Sequence, residues 1–312
     1  MEPRINATLA HVLLAALARR VPPGWWSVER GALAGQLSTH TTQTPVGPLD
    51  EVLTRYHAEA GSEAVFRLGV ESIRGVFTPA LALFREAPAP RDAFERWHAI
   101  QQLGRHPQLS LFEPQSDELV RVRRVAHNGA PREHSRELAM CGLISALLED
   151  MGCRNVSVGL VLPQGVTTLQ ARGAINAEAA ARITNANSWL IRWDRHVSSP
   201  AQVDAPPPAF AWKPLVGRVW TQLGEAPTLP ALARVLGRSP RTLQRRLAEA
   251  GLSLDALRGA RRVQEACRLI SEGQPLATCA MQAGFSDVSH MGREFRRLIG
   301  LTPGQFRAVT VR

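Results

Sequence analysis

The chain has 312 residues, 45% of them hydrophobic, with a formal net charge of +10 and a sequence pI near 11.0. Its length suits two domains, and so basic a chain is drawn to a polyanion, either nucleic acid or an anionic membrane surface. No run of about 18 apolar residues occurs, so no membrane span is expected. The four scattered cysteines, Cys141, Cys153, Cys267 and Cys279, lack any CxxC spacing, which argues against a disulfide framework or a structural zinc site.

In chain order, Leu9–Ala18 is apolar enough to resemble a signal-peptide core. It is short, however, contains His11, and follows no net positive charge. Leu9, Val12, Leu13, Ala16 and Leu17 fall at helical spacing instead and predict an amphipathic helix over 5–20. Further helices are expected at 47–60, 63–76, 79–86 and 91–104. A strand pair follows at Gln108–Glu113 and Glu118–Val125. Glu133–Met151 reads as an amphipathic helix with Leu138, Cys141, Ile144, Ser145 and Leu148 on one face. Val156–Leu162 alternates as a strand, a second strand is expected at about 171–176, and an apolar stretch, Trp189–Trp193, completes the domain. Residues 1–197 thus predict an α+β domain of helices plus two strand pairs.

Residues 198–212 hold Pro200, Pro206, Pro207 and Pro208 and read as a linker. The charge divides near the same place. Residues 1–211 carry 21 Arg against 20 acidic residues, whereas residues 212–312 carry 16 Lys and Arg against 7 Asp and Glu. A genome-wide preference for arginine would raise both parts alike, so the excess marks the C-terminal third as the part that meets a polyanion.

That third contains a repeat. Leu229, Leu232, Ala233, Leu236 and Gly237 recur 47 residues later as Leu276, Cys279, Ala280, Ala283 and Gly284. Each set is a short helix with one apolar stripe, closed by a glycine suited to a left-handed turn. Ser239 and Ser286 stand two residues beyond the glycines as expected N-caps, and Pro240 suits a first helical position. The next helices bury Leu243 and Leu247, then Met291 and Phe295. They expose Arg241, Thr242, Gln244, Arg245 and Arg246, then Ser289, His290, Arg293 and Arg296. Between the units, Ser253–Glu272 reads as one helix of about 20 residues, roughly 30 Å long. An Arg-bearing helix face is often only a solvated face. Two registered repeats in a segment of net charge +9 favour two helix-turn-helix units, at about 229–250 and 276–299.

Residues 213–311 resemble the DNA-binding domain of the AraC/XylS family. The matching stretches are Ser239-Pro-Arg-Thr-Leu-Gln-Arg-Arg-Leu247, Arg261–Ile270, Ala283-Gly-Phe-Ser-Asp-Val-Ser-His290, and the ending from Arg293 to Arg307. The resemblance implies an all-α bundle of seven helices. It also implies base contacts from Arg241, Gln244 and Arg245 in the first unit and from Ser289 and Arg293 in the second, with Val288 and Gly292 at the other facing positions. Met291, Gly292 and Glu294 stand where the family usually has Phe, Ser and Ala, so the second unit is expected to contribute less specificity than the first. The N-terminal part resembles the arabinose-binding-like effector domain of that family in its order of elements and in Trp189-Leu-Ile-Arg-Trp-Asp194, without implying arabinose.

Other constellations carry less. The pairs His98 with His106 and His127 with His134 lack the usual ligand spacings, and no metal or cofactor is expected. Trp25-Trp26 suits either an apolar pocket or a core. An enzyme joined to a DNA-binding tail would need a nucleophile–base pair in residues 1–197, and none is visible, so no enzymatic activity is expected. The expectation is a cytoplasmic, bacterial, nucleoid-associated transcription regulator. Its expected partners are promoter DNA, RNA polymerase, a small-molecule effector of unknown identity and a second copy of the chain. In the alternative, the N-terminal domain only dimerises.

Overall fold

The computed structural model describes residues 4–22, 25, 43–45, 47–74, 84, 87–102, 108–126, 132–186, 188–197, 214–224, 228–249 and 252–311. The helix expected at 79–86, apart from Phe84, and the Pro-rich stretch 198–212 lie outside them, as do Trp26, His106 and His127. Contacts divide the described residues into two compact units, one within 1–199 and one within 200–312.

The first unit begins with a short antiparallel pair, β1 (Arg4–Asn6) and β2 (Gln43–Pro45), flanking α1 (Ala7–Leu17). Val12, Leu13, Ala16 and Leu17 are buried as their spacing predicts, and Leu14 is buried as well. The two helices expected at 47–60 and 63–76 form α2 (Gly47–Arg74), bent where Gly61 adopts φ 83° and ψ 173°. A left-handed φ interrupts helical hydrogen bonding, and glycine adopts it without a Cβ clash. Next come α3 (Pro90–Gln102), β3 (Gln108–Ser116), β4 (Leu119–Ala126) and α4 (His134–Asp150).

Helix α4 departs from its expected amphipathic form, because every residue from Ser135 to Leu148 is buried. On one side α4 crosses α2 at backbone contact distance. A Cβ on Gly69 would lie 2.0 Å from the Ala139 carbonyl oxygen, and one on Gly142 would lie 2.1 Å from that of Phe66. Its two buried charged residues, Arg136 and Glu137, have partners. Glu137 takes Arg124 of β4 at 3.0 Å and Arg132 at 2.9 Å, and Arg136 pairs with Asp50 of α2. Arg132 also donates to the carbonyls of Thr184 and Ala186, and the Arg124 guanidinium lies 5.3 Å from the centre of the Trp189 ring. Burial pushes the Glu137 carboxyl up, but the charges and hydrogen bonds of Arg124 and Arg132 outweigh that and hold it below its ordinary value.

The remaining elements are β5 (Cys153–Arg154), β6 (Ser157–Leu162), β7 (Gly165–Ala171), β8 (Ala174–Ile175), α5 (Ala177–Ala181), β9 (Ser188–Arg192) and β10 (Arg195–His196). The expected strand pairs are joined in one antiparallel sheet of order β3-β4-β9-β6-β7-β8. Its joint is β9, where Trp189 stands opposite Val122 on one side and Leu160 on the other. The strand expected at about 171–176 is present only as the short β8, and its first part is the hairpin turn between β7 and β8. Arg172 and Gly173 both have positive φ there, as a two-residue hairpin of the primed type requires.

The second unit holds seven helices among the described residues. They are α6 (Pro214–Gln222), α7 (Leu229–Val235), α8 (Pro240–Glu249), α9 (Leu254–Ser271), α10 (Leu276–Gln282), α11 (Val288–Ile299) and α12 (Pro303–Thr310). One core gathers Trp220, Leu232, Leu236, Leu243, Leu247 and Leu257. In α11 and α12, Phe295 and Phe306 meet edge to face at 5.7 Å, both fully buried. Helix α9 serves both halves: Leu257 and Ala260 face the first core, and Val263, Cys267 and Ile270 are buried further along. Its 18 residues span about 27 Å at 1.5 Å per residue.

Candidate nucleic-acid interface

The repeat in the sequence is a repeat in space. Helices α7 and α10 each end in a glycine of left-handed conformation, Gly237 at φ 62° and Gly284 at φ 80°. Each turn closes with the same bonds. Arg238 N–H donates to Ala233 O at 2.8 Å, and Phe285 N–H donates to Ala280 O at 2.9 Å. The glycine N–H groups donate to Arg234 O and Met281 O, which completes a Schellman turn in both units.

Beyond the glycines the units differ by one residue. Ser239 caps α8, its hydroxyl accepting from Thr242 N–H at 3.2 Å. The expected cap Ser286 is displaced by Asp287, whose carboxylate accepts from His290 N–H at 2.7 Å. The Ser286 hydroxyl donates to the same carboxylate at 3.0 Å. A carboxylate suits a helix N-terminus better than a neutral hydroxyl, since it meets free N–H groups and the positive end of the dipole. The bond from His290 N–H, followed by that from Ser286, holds the Asp287 carboxyl below its ordinary value. The first helices therefore repeat at 47 residues and the second helices at 48, which aligns Leu243 with Met291, Leu247 with Phe295 and Arg245 with Arg293.

The eight predicted site residues fall into two groups. Arg241, Gln244 and Arg245 on α8, and Ser289, Arg293 and Arg296 on α11, are exposed. Thr242 and His290 occupy matching places in the first turns and are only half exposed. Both are engaged locally: the Thr242 hydroxyl accepts from Ser239 at 2.9 Å, while His290 Nδ1 lies 3.1 Å from the Ser286 hydroxyl and its ring stands edge-on to Phe285. Val288 is exposed at the start of α11, and around Gly292 there is open space.

The arginines of the two helices are not equivalent electrostatically. Glu249 accepts from Arg245 at 2.9 Å and from Arg246 at 3.1 Å. On α11 the polarity is exchanged: Glu294, at the place of Arg246, accepts from Arg297, at the place of Glu249, at 2.6 Å. The bonds from Arg297 hold the Glu294 carboxyl below its ordinary value against partial burial. Arg241, Arg293 and Arg296 make no hydrogen bond or ion pair with the described residues. Glu249 was legible as an acidic residue three and four positions after two arginines on one helix, a spacing that brings side chains together. Beside α11 a groove of about 480 Å³ runs along α9, lined by Arg258, Gly259, Arg262, His290, Glu294 and Arg297 among others. A Cβ on Gly259 would come within 2.9 Å of the Glu294 carboxylate, so the glycine lets the Glu294–Arg297 pair lie close to α9.

Two units of helix, glycine turn and arginine-bearing second helix, joined through a shared helix, define a helix-turn-helix domain. Residues 232–308 match the family model described as "Helix-turn-helix domain", and the C-terminal unit carries an AraC-type domain of this kind. The chain is 44% identical over 79 residues to the HTH-type transcriptional regulator VirS of Mycobacterium tuberculosis, covering 25% of this chain and 23% of that protein. It is 33% identical over 90 residues to the uncharacterized HTH-type transcriptional regulator Mb1430 of Mycobacterium bovis, covering 28% and 26%. The chain thus spans about a quarter of the length of the curated relatives it matches. Among solved structures, the transcriptional regulator CdpR from Pseudomonas aeruginosa aligns over 96% of this chain and 98% of that one, at 15% identity and a TM-score of 0.32. At that score the superposition says nothing of how this chain acts.

Proposed function

We propose that the protein is a sequence-specific transcription regulator that reads promoter DNA with α8 and α11. The carrying observation is the exposure of Arg241, Gln244 and Arg245 on one helix and Ser289, Arg293 and Arg296 on its structural counterpart. Arginine donates in pairs to guanine O6 and N7, and glutamine bonds adenine N6 and N7. Thr242 and His290, engaged at the helix starts, act through their side chains on the sugar–phosphate backbone rather than on bases. A joining helix of about 27 Å suits readers in successive major-groove segments of one duplex face.

In this reading residues 1–197 form an effector-sensing or dimerising domain, residues 198–212 a linker, and residues 213–311 the DNA-binding domain. The protein works in the bacterial cytoplasm at the nucleoid, with RNA polymerase as the partner through which it changes transcription. An effector acts by preferring one of two domain arrangements.

Capture of genomic fragments at physiological salt tests this proposal, with an Arg241→Ala, Arg245→Ala double variant in parallel. Enrichment of a few promoter fragments by the wild type, lost in the variant, is expected. Equal weak binding of all fragments by both proteins overturns sequence-specific reading. A thermal-shift screen against metabolites separates the two roles of the first domain. A ligand present at 100 times its dissociation constant adds about 2.7 kcal/mol, whereas silence together with concentration-dependent dimerisation favours the dimerising role.

A further inference from the structure

We propose that Glu249 is a positioning residue for the first recognition helix, tethering Arg245 and Arg246 so that α8 favours guanine over phosphate. This rests on the reading of α8 as a DNA-contacting helix. The Glu249 carboxylate takes one N–H from each arginine, at 2.9 and 3.1 Å, through a different oxygen in each case. Each arginine uses its Nη1 for this bond, so the rest of each planar guanidinium, with its other N–H groups, stays available.

Two consequences follow from that geometry. A guanidinium held through one nitrogen has fewer orientations to lose when it pairs with guanine O6 and N7, which favours the contact that demands a fixed direction. Phosphate contacts demand no such direction and respond mainly to charge. With one carboxylate between two guanidinium groups, the local charge at the C-terminal end of α8 falls from +2 to +1, so attraction to any phosphate weakens while directed contact is retained. Exposed pairs are weak, so a phosphate competes with the carboxylate for the tethered nitrogen, whereas guanine is met by the N–H groups the tether leaves available.

The second unit supplies an internal contrast. Arg293 occupies the place of Arg245, but the residue one turn on is Arg297, itself paired with Glu294. Arg293 therefore hydrogen-bonds no carboxylate of its own helix, although the charge of the Asp287 cap acts on it. Without a bond to fix its direction it takes phosphates or bases alike, so the two units differ in how strictly they read although their arginines are aligned.

The test is fluorescence-anisotropy titration of full-length wild type, Glu249→Gln and Glu294→Gln against three duplexes. These are a site selected by the wild type from random sequence, the same site with base pairs changed under α8, and a scrambled duplex, each over a range of salt. Glutamine keeps the shape of the side chain and its helix preference, and circular dichroism confirms the fold. For Glu249→Gln, binding to the scrambled duplex is expected to strengthen, and the salt dependence to steepen by about one to two phosphate contacts. Discrimination at the α8 base pairs is expected to fall about five- to tenfold, the low end of what a directed base contact supplies. Glu294→Gln is expected to leave discrimination at those base pairs unchanged. The proposal is overturned if Glu249→Gln keeps wild-type discrimination, or if both variants lose it equally. Failure of the wild type to prefer its selected site would instead overturn the reading of α8 as a sequence reader, a result visible before either variant is tested.

Discussion

Arg245 and Arg293 occupy the same place in the two helix-turn-helix units, 48 residues apart, yet only Arg245 is bonded to a carboxylate of its own helix. Identity of fold has not brought identity of electrostatics. With Gly292 lacking a side chain at the place of Gln244, α11 offers one fewer directed donor than α8. The Arg245→Ala change is expected to reduce base discrimination by about 1–3 kcal/mol. Arg293→Ala is expected to lower affinity more evenly across sequences. Titration against duplexes mutated under one helix at a time separates the two, and equal loss of discrimination contradicts the difference.

Gly292 is also a weak point in its helix. An added Cβ meets nothing within 4 Å, and the backbone is not in the left-handed region. Gly292→Ala is therefore expected to stabilise the second unit by about 0.5–1 kcal/mol, read as a rise in the thermal midpoint. A fall in that midpoint would show a contact at this position that the open space does not suggest.

Gly142 behaves in the opposite way. Its missing side chain is what lets α4 lie on α2, because a Cβ there would sit 2.1 Å from the Phe66 carbonyl oxygen. Gly142→Ala must push the helices apart and is expected to cost about 3 kcal/mol or more. Urea denaturation measures it, and a cost below 1 kcal/mol would mean that the helices separate freely.

The buried Glu137 neutralises two arginines, Arg124 and Arg132. Removing the carboxylate by Glu137→Ala leaves both guanidinium groups without it in the interior, at an expected cost of about 3–5 kcal/mol. Near-wild-type stability of this variant in urea would show that water reaches the site.

His134 gives the stability a pH dependence. Burial, then the charge of His57 stacked 4.9 Å away, lowers its pKa below the ordinary histidine value, against the opposing charge of Glu133. A base whose folded pKa is depressed contributes stability that is full above its unfolded value near 6.5 and is lost as pH falls below it. The stability difference between wild type and His134→Gln is thus expected to shrink from pH 7.5 to pH 5. A difference that grows over that interval contradicts this sign.

The second unit was largely legible in the sequence because each of its rules is local. A glycine closes a helix, a serine or aspartate opens the next, and an apolar stripe faces inward, as Gly237, Ser239 and Leu243 show. The cap was misplaced by one residue where two good caps, Ser286 and Asp287, stand side by side; the charge of the second decides between them. The first unit was less legible because its rules are not local. Burial of Arg136 and Glu137 depends on partners from α2, β4 and the segment before α4, so the helix they sit on read as amphipathic when it is buried on all sides. Pairing of β9 with both β4 and β6 likewise depends on strands more than 20 residues away.

The most direct test of the reading roles given to α8 and α11 is selection of binding sites from random duplexes by the wild type, Arg241→Ala with Arg245→Ala, and Arg293→Ala. A wild-type site with two blocks of preferred bases about one duplex turn apart is expected. The first variant should lose one block and the second should blur the other. A wild-type selection without preferred bases, or variants that retain both blocks intact, would contradict those roles.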